Sequence, residues 1–223
     1  MKLLYPDYGL SFEIFEGDLT SIVLEGCDVF EKMILSISNQ IMKKEEKMLF
    51  FIKEEKRDID KYFEIITSPL DITYNRRELQ KKLYCHLVED MRLSDELSRI
   101  SDAYSIIASA LDELSALSDF EIDFNSEQEY MDILKQFDVC LREPKGTFVE
   151  RFVEYAEAVH KLTGKSIFVL ANCDAYISDD EYGHLVKWAV YAGVSLVMLR
   201  NTQRPLHTEK NEYIIDSDLC VIH

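Results

Sequence analysis

Residues 166–173, SIFVLANC, form an uncharged run with helix signals on both sides. A short apolar run bounded by turn residues reads as a strand buried on both faces. Upstream, Thr147 with Glu150 three residues later makes a capping box for a helix that Gly164 ends. Downstream, Ser178 with Glu181 opens a second helix, Gly193 closes it, and VSLVMLRN (194–201) is again a buried-strand pattern. Strand, helix, strand in this order needs a crossover connection, so the last third of the chain predicts a parallel α/β sheet. YIIDSDLCVI (213–222) completes it.

The earlier residues read as follows. LSFEIF (10–15) alternates, SIVLEG (21–26) is a buried strand, and residues 28–43 form a helix with Phe30, Met33, Ile34 and Ile37 on one face. MLFFIK (48–53) and YFEIIT (62–67) are strands, and Ser68-Pro69 closes the unit. Two helices are expected between 75 and 117, with Asn75 and Glu78 as a capping pair and Leu79, Leu83, Leu87 and Met91 as a buried stripe. Leu97, Ile100, Tyr104, Ile107, Leu111 and Leu114 continue as the core of a helix hairpin. A helix near 127–137 and a strand VCLR (139–142) follow. The division is an α/β head from 1–72 and 139–223, and a helical domain from 73–138 that includes an acidic segment.

With 47% hydrophobic residues in 223, the chain has ample material for one packed core and a helical outgrowth. The start MKLLYPDYGL meets Pro6 and Asp7 before any long apolar run, which argues against a signal peptide, and no run of 18 uncharged apolar residues is present. Five scattered cysteines, with no CxxC spacing, suit a reduced cytoplasm.

Enzyme signatures are missing. A P-loop needs GxxxxGK[ST], whose backbone cradles phosphate while Lys and a hydroxyl complete the site. The corresponding residues, LEGCDVFEKMI, place Glu31 before Lys32 and Met33 after it. The strand 166–173 ends in Asn172, and Asp174 reads as a turn residue. No HExxH, paired histidines or GxSxG occur. The chain is therefore expected not to be an enzyme; residual nucleotide hydrolysis through Lys32 is the weakest alternative.

The formal charge of −17 argues against nucleic acid until its distribution is considered. Residues 43–82 carry eleven bases against nine acids, a balance of +2, whereas residues 89–133 carry thirteen acids and only Arg92 and Arg99, a balance of −11. Charges beyond a Debye length of about 8 Å are largely screened, so a local basic surface can act. Lysines interleaved with glutamates, as in KKEEKMLFFIKEEKRDIDK, equally suit a solvated face.

Within the acidic stretch, SDFEIDFNSEQEY (118–130) alternates acid and hydrocarbon. In an extended chain Asp119, Glu121, Asp123 and Asn125 would share one face at steps of roughly 6.6 Å, with Phe120, Ile122 and Phe124 buried on the other. Two readings stay open: an edge strand whose charges discourage pairing, and an irregular hard-cation site. An EF-hand is excluded, because Phe124 takes the place of the turn glycine and Tyr130 that of the last glutamate.

SIFVLANCDAYISDDE resembles the strand-turn-helix of the small CRISPR-associated adaptation proteins of type II-A systems, the Csn2 family: an apolar strand ending in Asn, an aromatic a few residues on, then a Ser/Thr-x-Asp-Glu cap. LFFIKEEKRDIDKYFEIITSPLDITYN, VSLVMLRNTQRP and YIIDSDLCVI are similar to the family's other strands, so the resemblance spans essentially the whole chain. It implies a head like a degenerate P-loop NTPase with an inserted helical domain, assembled as a homotetrameric ring. It further implies bound calcium and double-stranded DNA held by its ends in a lysine-lined hole during CRISPR spacer acquisition, an antiviral function shared with other adaptation proteins. The implied calcium residues are Asp119, Glu121, Asp123, Asn125 and Glu127, with one residue inserted among them. Lys56 matches a family lysine, and Lys53, Arg57, Arg76, Arg77, Lys81 and Lys82 lie in the stretch that faces the hole. Asn201-Thr202 replaces a usual Pro-Arg pair. The rival expectation is an acidic scaffold that binds other adaptation proteins and no DNA.

Overall fold

The computed structural model describes residues 1–125, 129–203 and 211–222. They form a mixed α/β fold that separates into two compact units, one built from Met1–Thr73 and the described residues from Glu143 onward, the other from Tyr74–Arg142.

The first unit holds two sheets. The larger has six strands in the order β10 (Val221–Ile222), β9 (Glu212–Ile215), β3 (Leu19–Leu24), β8 (Ser195–Arg200), β7 (Ile167–Ala171) and β6 (Phe63–Ile66). All neighbours are parallel except β10 against β9. Every residue of β3, β7 and β8 is buried, as both faces of a parallel sheet require. The helices α1 (Cys27–Ile41), α6 (Phe148–Thr163) and α7 (Asp179–Ala192) belong to this unit. Both capping boxes form: the side chains of Thr147 and Ser178 accept from the amides of Glu150 and Glu181, and each glutamate reaches back to the cap. Gly164 and Gly193 take the left-handed conformation after α6 and α7 (φ +78 and +67), where a β-carbon would be strained.

The smaller sheet is antiparallel, in the order β2 (Leu10–Glu13), β1 (Lys2–Tyr5), β4 (Leu49–Ile52) and β5 (Glu55–Arg57). The strand expected over 48–53 therefore belongs to a different sheet from the one expected over 62–67; the four-residue helix α2 (Ile59–Tyr62) carries the chain from one to the other. Leu3, Tyr5, Phe12 and Phe50 of this sheet share one core cluster with Met33 and Ile37 of α1 and Val169 of β7. Residues 213–222 form the hairpin β9–β10 instead of one strand.

The second unit contains α3 (Arg77–Arg92), α4 (Glu96–Leu117) and α5 (Tyr130–Gln136). Two expectations are corrected here. Helix α3 begins one residue later than the Asn75–Glu78 pair requires, with Arg76 at the cap position and no capping bond from its side chain. The segment 139–142 is not a strand: after Asp138 (φ +46) it runs as a connector whose Val139 packs on the cluster of Tyr84, Val88 and Leu134. That cluster joins α3 to α5. Helix α4 buries no residue at all; Leu97, Ile100 and Tyr104 are half-buried, while Ile107, Leu111 and Leu114 are 55%, 39% and 61% exposed. The expected hairpin core is thus partly covered at the start of α4 and becomes an apolar stripe open to solvent from Ile107 onward.

Candidate metal and DNA-contacting residues

The acidic segment does not adopt the alternation expected of it. Residues 118–125 are irregular, Asp119, Glu121 and Asp123 are exposed, and so are Phe120 (79%) and Ile122 (51%). A Ser118 side chain accepting from the Phe120 amide turns the chain at the segment's start. Among the described residues no three His, Cys, Asp or Glu side chains stand close enough to hold a metal ion. Glu127 lies outside the described residues. In the single chain, then, Asp119, Glu121 and Asp123 do not form a ready ligand set, and Asn125 follows them, also exposed.

The basic residues fall in two places, one in each unit. In the first, β4 and β5 form a tight hairpin whose two turn residues, Lys53 and Glu54, both have positive φ (+48 and +68). That twist matches a two-residue hairpin, but Asn-Gly is the favoured pair there. Lys53, Lys56 and Arg57 are all exposed. Lys56 pairs with Glu46, and Arg57 with Glu55. Nearby, Lys43 lies 3.0 Å from Asp60 and Lys61 2.6 Å from Asp58. The Lys61 ammonium holds the Asp58 carboxyl below its ordinary value, and Asp58 in turn raises Lys61. Arg57 also lines a groove of 470 Å³ together with Lys43, Lys44, Glu45, Asp58 and Asp60, a mixed lining.

In the second unit Arg76, Arg77, Lys81 and Lys82 occupy the first turns of α3, all exposed. Arg77 and Lys81 are one turn apart on a single face. Cations at a helix N-terminus oppose the macrodipole, typically at a cost of about 0.3–1 kcal/mol each. An anion bound there would be favoured by the dipole and by the side chains together.

Two buried ion pairs escaped the sequence reading. At the carboxyl end of the parallel sheet Arg200 Nε lies 2.6 Å from Asp174 Oδ2, with the Arg200 side chain 1% exposed and its guanidinium 6.0 Å from the Tyr182 ring. On β6, Glu64 accepts from Lys165 Nζ and Tyr155 Oη, both at 2.8 Å. Each had one available signal: Arg200 is the only charge in VSLVMLRN, and Glu64 the only one in YFEIIT. Close to the first pair, burial pushes the Cys173 thiol up to about 12. Gln203 Nε2 donates at 3.1 Å to Glu25 on the loop between β3 and α1, and within α1 Lys32 lies 3.6 Å from Asp28.

A parallel-sheet head with an appended small antiparallel sheet and a separate helical unit is the class these elements define. The family of the CRISPR-associated protein (Cas_Csn2) matches over residues 40–219, and the chain belongs to that family. No curated protein matches it. Among solved structures it is similar to the one described as the crystal structure of Stu0660 of Streptococcus thermophilus, with a TM-score of 0.66 and 17% identity, covering 100% of this chain and 76% of the other. That likeness bears on the fold. No helix among the described residues is long and apolar enough to cross a membrane.

Proposed function

We propose that this chain is a non-catalytic, sequence-independent binder of double-stranded DNA ends that works as a calcium-dependent homotetrameric ring in CRISPR spacer acquisition, in the cytoplasm and alongside other adaptation proteins. Membership in the Cas_Csn2 family carries the reading. The charge segregation supports it: four copies would total −68, yet each offers exposed bases on the β4–β5 hairpin and at the start of α3. The open apolar stripe of α4 suits contact between copies, since exposed patches of this kind mark association surfaces. Calcium enters as the counterion of residues 119–127, which would have to be gathered around it on assembly.

The head reads as a degenerate nucleotide fold. Glu25 would face a bound phosphate, Lys32 is exposed between Asp28 at 3.6 Å and the Tyr8 ring at 5.8 Å, and Asp174 is engaged by Arg200.

Gel shifts with blunt duplexes test the proposal. With two to three phosphate contacts per copy, log affinity should fall against log salt with a slope of roughly −7 to −11. Reversal of charge at Lys56, Arg57, Arg76 and Arg77 together should abolish the shift, and a chelator should weaken it. Equal binding in calcium and chelator removes the metal from the proposal. One observation favours the alternative of an acidic scaffold with an inactive NTPase-like head: Lys56 and Arg57 are already engaged by Glu46 and Glu55. On that reading the fourfold variant keeps its protein partners and the wild type shifts no DNA.

A further inference from the structure

Helix α7 packs inward through Tyr182, Leu185 and Ala189. Its opposite side carries Asp180, Gly183, His184, Lys187, Val190 and Tyr191, all exposed and spaced so that they share one face. Three features of this face lack any explanation among the described residues. Gly183 sits mid-helix where a β-carbon would meet nothing within 4 Å, so no neighbour in the fold demands glycine, and glycine there costs about 1 kcal/mol relative to alanine. Asp180 and Lys187 stand two turns apart, and neither enters an ion pair among the described residues. Tyr191, at the C-terminal end of the face, is 92% exposed.

We propose that this face of α7 is a self-complementary docking surface for a second copy of the chain, the two α7 helices lying antiparallel across a two-fold axis that passes between residues 183 and 184. Such an axis exchanges position 180 with 187 and 183 with 184. Asp180 then faces Lys187 of the partner subunit, and the pair is made twice, as an isologous contact requires. Parallel pairing in register would instead set Asp180 on its own copy. The crossing point falls on Gly183, whose missing side chain lets two backbones approach closely. Tyr191, 92% exposed, comes to the N-terminal end of the partner helix, and tyrosine is a residue that interfaces favour. The charge pair and the small residue are thus both placed at positions that one symmetry operation matches. The contact uses neither the α4 stripe nor the basic residues assigned to DNA; it specifies one interface of the proposed ring and does not depend on DNA binding.

Sedimentation equilibrium of the full chain tests it in a background of Ile107→Asp and Leu111→Asp, which removes the α4 stripe. The expected species is a dimer; a monomer in that background overturns the proposal. Adding Gly183→Leu should raise the dimer dissociation constant at least about tenfold while Tm holds or rises, because leucine is a better helix former and the site is open. Lys187→Glu should weaken the dimer likewise, and Asp180→Lys with Lys187→Glu in one chain should restore it, since the reversed pair is again self-complementary. A dimer indifferent to Gly183→Leu, or a double charge variant no tighter than the single one, overturns the assignment. Loss of DNA binding with the α7 dimer intact counts against the proposed function alone.

Discussion

Arg200 places its Nε 2.6 Å from Oδ2 of Asp174, joining the end of β8 to the turn after β7 through a side chain that is 1% exposed. The same guanidinium reaches the Ser21 hydroxyl of β3 at 3.4 Å, so one arginine ties three neighbouring strands. A buried guanidinium stripped of its carboxylate keeps its desolvation cost and loses the attraction. Asp174→Ala should therefore destabilise the protein by about 3 kcal/mol, at the low end for buried pairs because the Asp174 side chain is 23% exposed. Arg200→Met with Asp174→Ala should recover part of that loss. Urea unfolding of the single and double variants measures it, and a single variant within about 0.5 kcal/mol of wild type would show that the pair contributes little.

The cap of α7 makes stability depend on acid. Hydrogen bonds from the Ser178 hydroxyl and amide hold the Glu181 carboxyl below its ordinary value of 4.5, and Lys61 does the same for Asp58. A folded-state value below the unfolded one means that the stabilisation is present above the unfolded value and fades as pH falls through the folded one. Ser178→Ala should lower Tm at pH 7, with the difference from wild type shrinking below pH 4. A constant difference from pH 7 to 3 would remove Glu181 from the explanation.

These caps were legible because they are local: Ser178 and Glu181 are three residues apart, and the geometry that joins them is that of one helical turn. The same holds for the uninterrupted apolar runs of β7 and β8. What the sequence could not disclose is which distant strand each segment joins. MLFFIK and YFEIIT look alike, yet Phe50 pairs across to Leu3 and Phe63 to Ile167, in different sheets. Periodicity also says that a face is apolar without saying what covers it, which is why the α4 stripe read as core and stands open. At residues 118–125 alternation marked a distinctive segment, but side chains that share a face in an extended strand need not converge, and Phe120 at 79% exposure shows that no neighbour fixes the pleat. The basic residues were legible as a cluster in sequence; their pairing with Glu46 and Glu55 depends on the fold.

Cysteine reactivity should divide sharply. Cys27, Cys140 and Cys220 are exposed and Cys173 is fully buried, with its thiol pushed up to about 12. At pH 8 its thiolate fraction is then about 10⁻⁴, and the thiolate is the nucleophile. Maleimide should label the three exposed cysteines rapidly and leave Cys173 untouched in the native protein, as peptide mapping would show. Folding favours the protonated thiol, so this contribution to stability is complete below the ordinary value of 9.0 and is lost as pH rises from there toward 12. Native labelling of Cys173 at the rate of Cys27 would contradict its burial.

The β4–β5 turn separates stability from DNA contact. Lys53 and Glu54 both hold positive φ, a conformation that costs a side-chain-bearing residue about 1 kcal/mol and that Asn-Gly adopts readily. Lys53→Asn with Glu54→Gly should therefore stabilise the protein by about 1–2 kcal/mol in urea unfolding. The same change removes a cation and an anion from the hairpin tip, so the net charge is unaltered and any effect on DNA is local. If Lys53 touches phosphate, the log-log salt slope should become shallower by about one for each copy in contact, while a Lys56→Ala variant should do the same without the gain in stability. A stabilised double variant with an unchanged salt slope would take Lys53 out of the DNA-contacting set, leaving Lys56, Arg57 and the start of α3 to carry it.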